Sequence, residues 1–393
     1  MRILVATMHR GIVGGVETYL RALLPELVKR GHDVGVLYEY SALPNEPTIH
    51  DGCQDIPVWS LPDLGAALAW KPSVCYQHGL FDTTCEQKLA EHFPSVLYSH
   101  NYQGTCISGT KCHARPAYQP CQRSLGVGCL ALYFPRRCGG LNPVKMIQLY
   151  RNQRERQRTL THHNAVLVAS RRMSTEMVRN GVAPELVHLV ALFPPNTEPD
   201  VLTPTPKQRS NRILFLGRIT ALKGWTHLLS AIPRAAELLN KKLTLVVAGD
   251  GPDRTAFENE ARSRGVGVEF LEWIGADSRE AEMRAADILI VPSVWPEPFG
   301  LVGIEAGCVG LPAVAYAVGG IPDWLEPGVS GELAPGERPD PEQLAAAIIR
   351  AIADESHWQQ LRIGAWESAK RFTRSRHLEQ LEAILNTVTR SKL

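Results

Sequence analysis

The chain has 393 residues, 44% of them apolar and 21% charged, a globular balance with room for two domains of roughly 100–200 residues. Forty-two basic residues stand against 40 acidic ones, and a net charge of +2 sets up no global field for nucleic acid. Nine cysteines are too sparse for a disulfide-dense secreted scaffold, and no apolar run reaches the roughly 18 residues that cross a bilayer.

The first run, Arg2–Thr7 (RILVAT), meets charge too early for a signal-peptide core and predicts a buried strand. Gly14 and Gly15 then mark a turn, and an amphipathic pattern from Val16 to Arg30 predicts a helix. Apolar runs of parallel-strand type follow at Val34–Tyr38, Ser95–Tyr98 and Val166–Ala169. His100 comes directly after one of these runs, and His78 sits in a similar place.

Cys106, Cys112, Cys121, Cys129 and Cys138 crowd into a Gly- and Pro-rich stretch, residues 104–140, with spacings of x5, x8, x7 and x8. No spacing is the C-x2-C of a zinc knuckle. Structural zinc on four of them, or on three plus His113, remains open beside disulfides and free thiols. A cytosolic setting disfavours the disulfides.

Arg136–Arg172 holds nine basic residues against Glu155, a local charge of +8, with Met146, Ile147, Leu149, Tyr150 and Leu160 as an apolar face. Attraction to anionic lipid headgroups and a merely solvated basic helix both fit it. Interleaved stacking aromatics are missing, so no nucleic acid is expected.

Five prolines between Pro194 and Pro206 give residues 195–211 the chemistry of a hinge. Arg212–Leu216 (RILFL) then repeats the opening theme, with Gly217, a helical pattern from Trp225 to Leu239, and runs at Leu243–Ala248, Ile288–Pro292 and Ala313–Ala315. Strand and helix in alternation predict an α/β chain of two Rossmann-like, doubly wound domains, 1–194 and 212–376, facing across a cleft. Residues 377–393 form a last helix that either closes the second domain or packs back on the first. Ser391-Lys392-Leu393 matches a peroxisomal address, here read as coincidence, since nothing else suggests a eukaryote.

The most informative stretch is Pro292–Pro312, PSVWPEPFGLVGIEAGCVGLP, a strand–loop–helix junction. Main-chain N–H groups and a positive helix end suit phosphate there, with Gly300 allowing close approach. Glu297 and Glu305 both suit a polyhydroxylated ligand, because carboxylates accept from vicinal hydroxyls.

These residues, with Gly14-Gly15-Val16-Glu17, Arg30-Gly31-His32-Asp33-Val34, Gly217-Arg218, Lys223-Gly224, Gly249-Asp250-Gly251-Pro252 and Gly319-Gly320-Ile321-Pro322-Asp323, come in one order over most of the chain. In that order they resemble the retaining nucleotide-sugar glycosyltransferases of glycosyltransferase family 4, which have the GT-B fold. The resemblance implies a metal-independent, bacterial, cytoplasmic hexosyltransferase of glycan biosynthesis. It would move a sugar from a nucleotide-diphosphate donor to a glycan, lipid-linked or small-molecule acceptor, with 1–194 as the acceptor side.

By the same resemblance Glu305 takes the ribose hydroxyls, Glu297 the donor sugar, and Arg218 and Lys223 the diphosphate. Gly14, Gly15, Phe299, Gly300 and Leu301 complete the donor site, and His100 lies near the sugar. The nucleotide sugar is a co-substrate, and no cofactor or metal is expected. With no carboxylate in the place of a covalent nucleophile, a front-face route through an oxocarbenium-like state is implied. A catalytically idle sugar-nucleotide-binding protein is the alternative. A glycogen- or sucrose-type synthase is disfavoured, because the first domain lacks the long insertions of those enzymes. On the lipid reading, the basic stretch Arg136–Arg172 would meet the inner face of the plasma membrane; on the other it is a solvated helix.

Overall fold

The computed structural model describes residues 1–53, 55–199, 203–271 and 275–390. The Ser391-Lys392-Leu393 end lies outside the described residues.

Two all-parallel sheets carry the fold. The first is built from β1 (Arg2–His9), β2 (Asp33–Tyr40), β3 (Val58–Ser60), β4 (Val74–Gln77) and β5 (Ser95–Ser99). After a small antiparallel pair, β6 (Cys112–His113) and β7 (Gln119–Pro120), come its last strands, β8 (Ala165–Val168) and β9 (Val187–Leu189). Its order is β3-β2-β1-β4-β5-β8-β9. The second sheet takes β10 (Arg212–Leu216), β11 (Thr244–Ala248), β12 (Val268–Leu271), β13 (Ile288–Val291), β14 (Ala313–Tyr316) and β15 (Gly331–Ala334), in the order β12-β11-β10-β13-β14-β15.

Strand periodicity explains why both faces are covered. Along β1, Ile3 and Val5 point to one side, against Tyr19, Leu20, Leu23 and Leu24 of the helix Gly15–Lys29. Leu4 and Ala6 point to the other, against Leu37, Cys75 and Leu89. All of these are buried, and truncating any one of the leucines to alanine costs about 2–5 kcal/mol.

The sequence-read hinge is not free along its whole length. Beyond the undescribed residues 200–202, the Thr205 carbonyl accepts from Arg362, Lys207 donates to the Arg284 and Ala286 carbonyls, and Arg209 pairs with Glu355. The final helix, Arg374–Arg390, crosses back to the first sheet. Its Glu382 pairs with Arg30 and His32 of the first half, and its Leu378, Leu381 and Leu385 are buried.

A hydroxyl chain fastens that helix further. The Nδ1–H of His377 donates to the Ala191 carbonyl at 2.7 Å, which leaves Nε2 to accept from Tyr19, 2.7 Å away. Tyr76 then donates to Tyr19 at 2.9 Å. Burial pushes the His377 imidazole down to about 4, so it is neutral near neutral pH.

The basic stretch is smaller than its sequence suggests. Arg156 is buried on Glu86, Arg172 pairs with Glu176, and Arg171 pairs with Asp323. Met146, Leu149 and Tyr150 of the helix Pro143–Thr159 pack against Ile107, Leu125 and Tyr133, and Leu160 is buried elsewhere. Val144 and Ile147 alone of that helix are exposed large apolar residues, beside exposed Lys145, Arg151 and Arg158.

All five clustered cysteines carry free thiols. Burial pushes Cys112 and Cys138 up to about 12, and the Cys138 sulfur lies 3.6 Å from His113 Nδ1. Among the described residues no group of three or more His, Cys, Asp or Glu side chains is placed to hold a metal. The stretch is anchored instead by Lys111, buried at 1%, whose ammonium meets Glu176 at 2.7 Å and the Thr105 carbonyl at 3.1 Å.

Candidate active site

In a doubly wound sheet the ligand crevice opens at the carboxyl ends of the strands where the order reverses. In the second sheet that point lies between β10 and β13. The loop after β10 carries Arg218 and Lys223, and the loop after β13 carries Ser293–Gly300.

Gly224 lets the two loops touch. It sits at φ 73°, and a Cβ there would fall 1.9 Å from the Pro292 carbonyl oxygen. The neighbouring Val294 N–H donates to the Leu222 carbonyl at 3.0 Å. Lys223 is thereby brought to Glu297, with Nζ 2.6 Å from Oε1.

Ser293 Oγ and Trp295 Nε1 donate to the same oxygen at 2.5 Å and 3.0 Å. Three donors thus saturate Oε1, while Oε2 has no bonded partner among the described residues. The Glu297 side chain is buried, and its main chain is gripped by the Gly319-Gly320 pair. Gly320 N–H donates to the Glu297 carbonyl at 2.7 Å, and a Cβ on Gly319, at φ 60°, would fall 2.1 Å from that oxygen.

Gly300 caps the helix Leu301–Cys308, whose free N–H groups open beside Glu297. Phe299 turns the other way: its ring is buried against Phe372, and its carbonyl accepts from Trp324. Only its main chain remains for a donor. One turn into the helix, Glu305 is buried and ion-paired with Arg279 of the helix Ala276–Ala285. Burial raises its carboxyl above the ordinary range, against the lowering influence of Arg279. Arg218 is exposed, five residues before Lys223, and makes no ion pair among the described residues.

Across the cleft, Gly14 and Gly15 are exposed at the start of the helix Gly15–Lys29. His100 stacks on Tyr98, and its Nε2 lies 2.9 Å from His78 Nδ1. Burial pushes His100 down to about 3 and lowers His78 as well. Both rings are therefore neutral hydrogen-bonding groups near neutral pH.

The two halves meet on either side of Glu297. Ser170 Oγ donates to the Pro298 carbonyl at 2.6 Å, and Arg171 binds Asp323 through both its N–H and its guanidinium. The ring of Tyr102 stands edge-on to Trp295, and the Cys112 sulfur lies 3.6 Å from the Val294 carbonyl oxygen.

Sequence reasoning missed Ser293, Trp295, Ser170 and Arg279. Ser170 reads as an ordinary helix cap, a bond it does make to the Met173 N–H. Arg279 sits among Glu280, Glu282 and Arg284 and reads as one charge on a solvated face. Only Ser293 and Trp295, inside the motif stretch and four and two residues from Glu297, carried a usable signal.

Residues 203–368 match the family model described as glycosyl transferases group 1. An uncharacterised glycosyltransferase of Methanocaldococcus jannaschii is 36% identical over 144 residues, 36% of each chain. A D-inositol 3-phosphate glycosyltransferase of Stackebrandtia nassauensis is 34% identical over 213 residues, 49% of this chain and 47% of that one. The chain thus spans about a third to a half of the length of the curated relatives it matches first. Among solved structures, Anabaena HepE in complex with UDP superposes with a TM-score of 0.70 at 19% identity, covering 98% of this chain and 100% of that one. The chain therefore has the GT-B fold, and its residues 203–368 are similar to the group 1 glycosyl transferases, in keeping with its likeness to glycosyltransferase family 4.

Proposed function

We propose that the chain is a retaining hexosyltransferase that moves a sugar from a nucleotide-diphosphate donor to a glycan, lipid-linked or small-molecule acceptor. The observation that carries this reading is the Lys223–Glu297 pair at the strand-order reversal, beside the open start of the helix Leu301–Cys308. As the glycosidic bond breaks, negative charge grows on the departing diphosphate. Lys223, Arg218 and the N–H groups at Gly300 and Leu301 would meet that charge with fixed positive groups.

Glu297 Oε2, held steady because Oε1 has three donors, is suited to a sugar hydroxyl. Glu305, next along the helix, is suited to the ribose. Basic groups and a helix end can do the work for which other transferases use a bound cation, and this supports a metal-independent reaction. A front-face route with retention follows from the family likeness, with neutral His100 available to hydrogen-bond near the sugar.

Anabaena HepE is solved with UDP and with UDP-glucose, which makes uridine the first base to try. The test is a thermal-shift panel of UDP, GDP and ADP, followed by donor hydrolysis with the matching nucleotide sugar. A shift with one nucleotide and slow hydrolysis are expected. No shift with any of the three and no hydrolysis would refute the donor site.

Lys145, Arg151 and Arg158, with exposed Val144 and Ile147, support a cytoplasmic enzyme resting on an anionic membrane face. At about 1 kcal/mol per basic residue, three such charges give a weak, salt-sensitive contact. Flotation with phosphatidylserine vesicles but not with neutral ones is the expected result, and equal flotation with both would remove it.

A further inference from the structure

We propose that Arg279 is a positioning residue for the donor nucleotide: it holds one oxygen of Glu305 and supplies the counter-charge beside it, so that the other oxygen meets the ribose hydroxyls as a carboxylate. The inference rests on the reading that Glu305 takes the ribose. The pair is no ordinary surface ion pair. Glu305 is 8% exposed, and Arg279 reaches its Oε2 from a different helix, with 29% of its own side chain exposed.

No other charge faces Glu305 from the described residues packed around it. On the helix Ala276–Ala285, Glu280 pairs with Arg284 and Glu282 with Arg212. Strands β13 and β14 carry only Tyr316, whose hydroxyl bonds His227. On the helix Glu355–Ala369, Arg362 is held by the Thr205 carbonyl and Glu367 by Lys370. The helix Leu301–Cys308 adds only the buried Cys308 thiol.

The physical consequence is direct. A carboxylate that is to accept from two hydroxyls must stay charged, and burial works against the charge. Arg279 opposes that effect and fixes the carboxyl plane through Oε2. Without it, Glu305 would hold a proton at a higher pH and lose part of its accepting capacity.

The test is calorimetry of UDP-glucose, whose two phosphates are both esterified and do not titrate near neutral pH. It is run from about pH 8 to about pH 6 on the native chain, Arg279→Gln, Arg279→Lys and Glu305→Gln. Arg279→Gln should bind about tenfold more weakly at the upper end and lose up to about a further tenfold per pH unit below the raised carboxyl value. Arg279→Lys should recover most of that loss, and Glu305→Gln should be weak but flat with pH. A profile for Arg279→Gln parallel to the native one overturns the proposal and leaves the ribose reading standing. Native affinity in Glu305→Gln overturns the ribose reading itself.

A ligand-free arm decides the counter-charge role even if uridine is the wrong base. With Arg279 gone, folded Glu305 keeps a proton that the unfolded chain releases, so stability falls as pH rises above the ordinary carboxylate range. Relative to the native chain, Arg279→Gln should therefore lose melting temperature over that rise, and the Arg279→Gln/Glu305→Gln double variant should not. Identical slopes in the two would overturn the proposal.

Discussion

Replacing Lys223 by alanine separates a catalytic role from a structural one. Lys223 Nζ lies 2.6 Å from Glu297 Oε1, but Ser293 and Trp295 hold the same oxygen at 2.5 Å and 3.0 Å. Two of three donors survive the change, so Glu297 should keep its place. A hydrogen bond to a charged group is worth about 1.5–3 kcal/mol. Lys223 is about a third exposed, and solvent screening brings its share of stability down to about 1 kcal/mol.

Turnover should suffer far more. Loss of one fixed donor to a developing oxyanion costs about 10²–10³ in rate, or about 2.7–4 kcal/mol of barrier. The assay is steady-state transfer or donor hydrolysis by the folded variant, set against its affinity for the free nucleoside, which lacks the diphosphate. Expected are a rate loss above a hundredfold, nucleoside affinity within threefold of native, and a small drop in melting temperature. A rate loss below about tenfold would mean that Lys223 serves only to neutralise Glu297, and that the diphosphate is held elsewhere.

Trp295→Phe keeps the ring against Tyr102 but removes the indole N–H from Glu297; it should raise the Michaelis constant for the donor severalfold in steady-state kinetics with little change in melting temperature. Serine at Cys112 or Cys138 should lower the melting temperature more than turnover per folded molecule, because Cys112 is buried and Cys138 half-buried in the stretch anchored by Lys111, while the proposed diphosphate site is in the other half. Metal analysis of chelator-free protein should find no stoichiometric zinc, and one equivalent would assign these cysteines a ligand role. His377 titrates at about 4 when folded and near 6.5 when unfolded, so its contribution is present above about pH 6.5 and lost as pH falls toward 4, by about 3 kcal/mol. Denaturant titrations of His377→Gln should show a shallower acid slope than the native chain over that window.

Most of the architecture was legible because parallel strands buried on both faces read as unbroken apolar runs, such as Ile288–Val291. The switch-point loops were legible because glycines and carboxylates stand at fixed intervals there. Contacts made between distant segments left no local trace. Nothing in the order Ser278-Arg279-Glu280 says that Arg279 will reach Glu305, since a helix of alternating charges looks the same whether one of them is used or all are solvated. Arg156 misled in the opposite direction. It counted toward a basic surface, yet it is buried on Glu86, 70 residues away in sequence. Phe299 shared the motif with Glu297 but faces the core, because a loop residue's side chain is aimed by packing that sequence order does not encode.

The return of the helix Arg374–Arg390 to the first sheet has a consequence for the order in which the chain can fold. Tyr19 and Tyr76 belong to the part that leaves the ribosome first, yet the ring that completes their hydrogen-bond chain arrives 358 residues after Tyr19. During synthesis the part of that face beside β4 and β5, which the last helix covers, must wait while the whole second sheet is made. Contacts of such long sequence separation form slowly, because the intervening chain must be ordered before they can be made. The first half is thus early in synthesis and late in completion, and damage to the last helix would loosen the half of the protein made first.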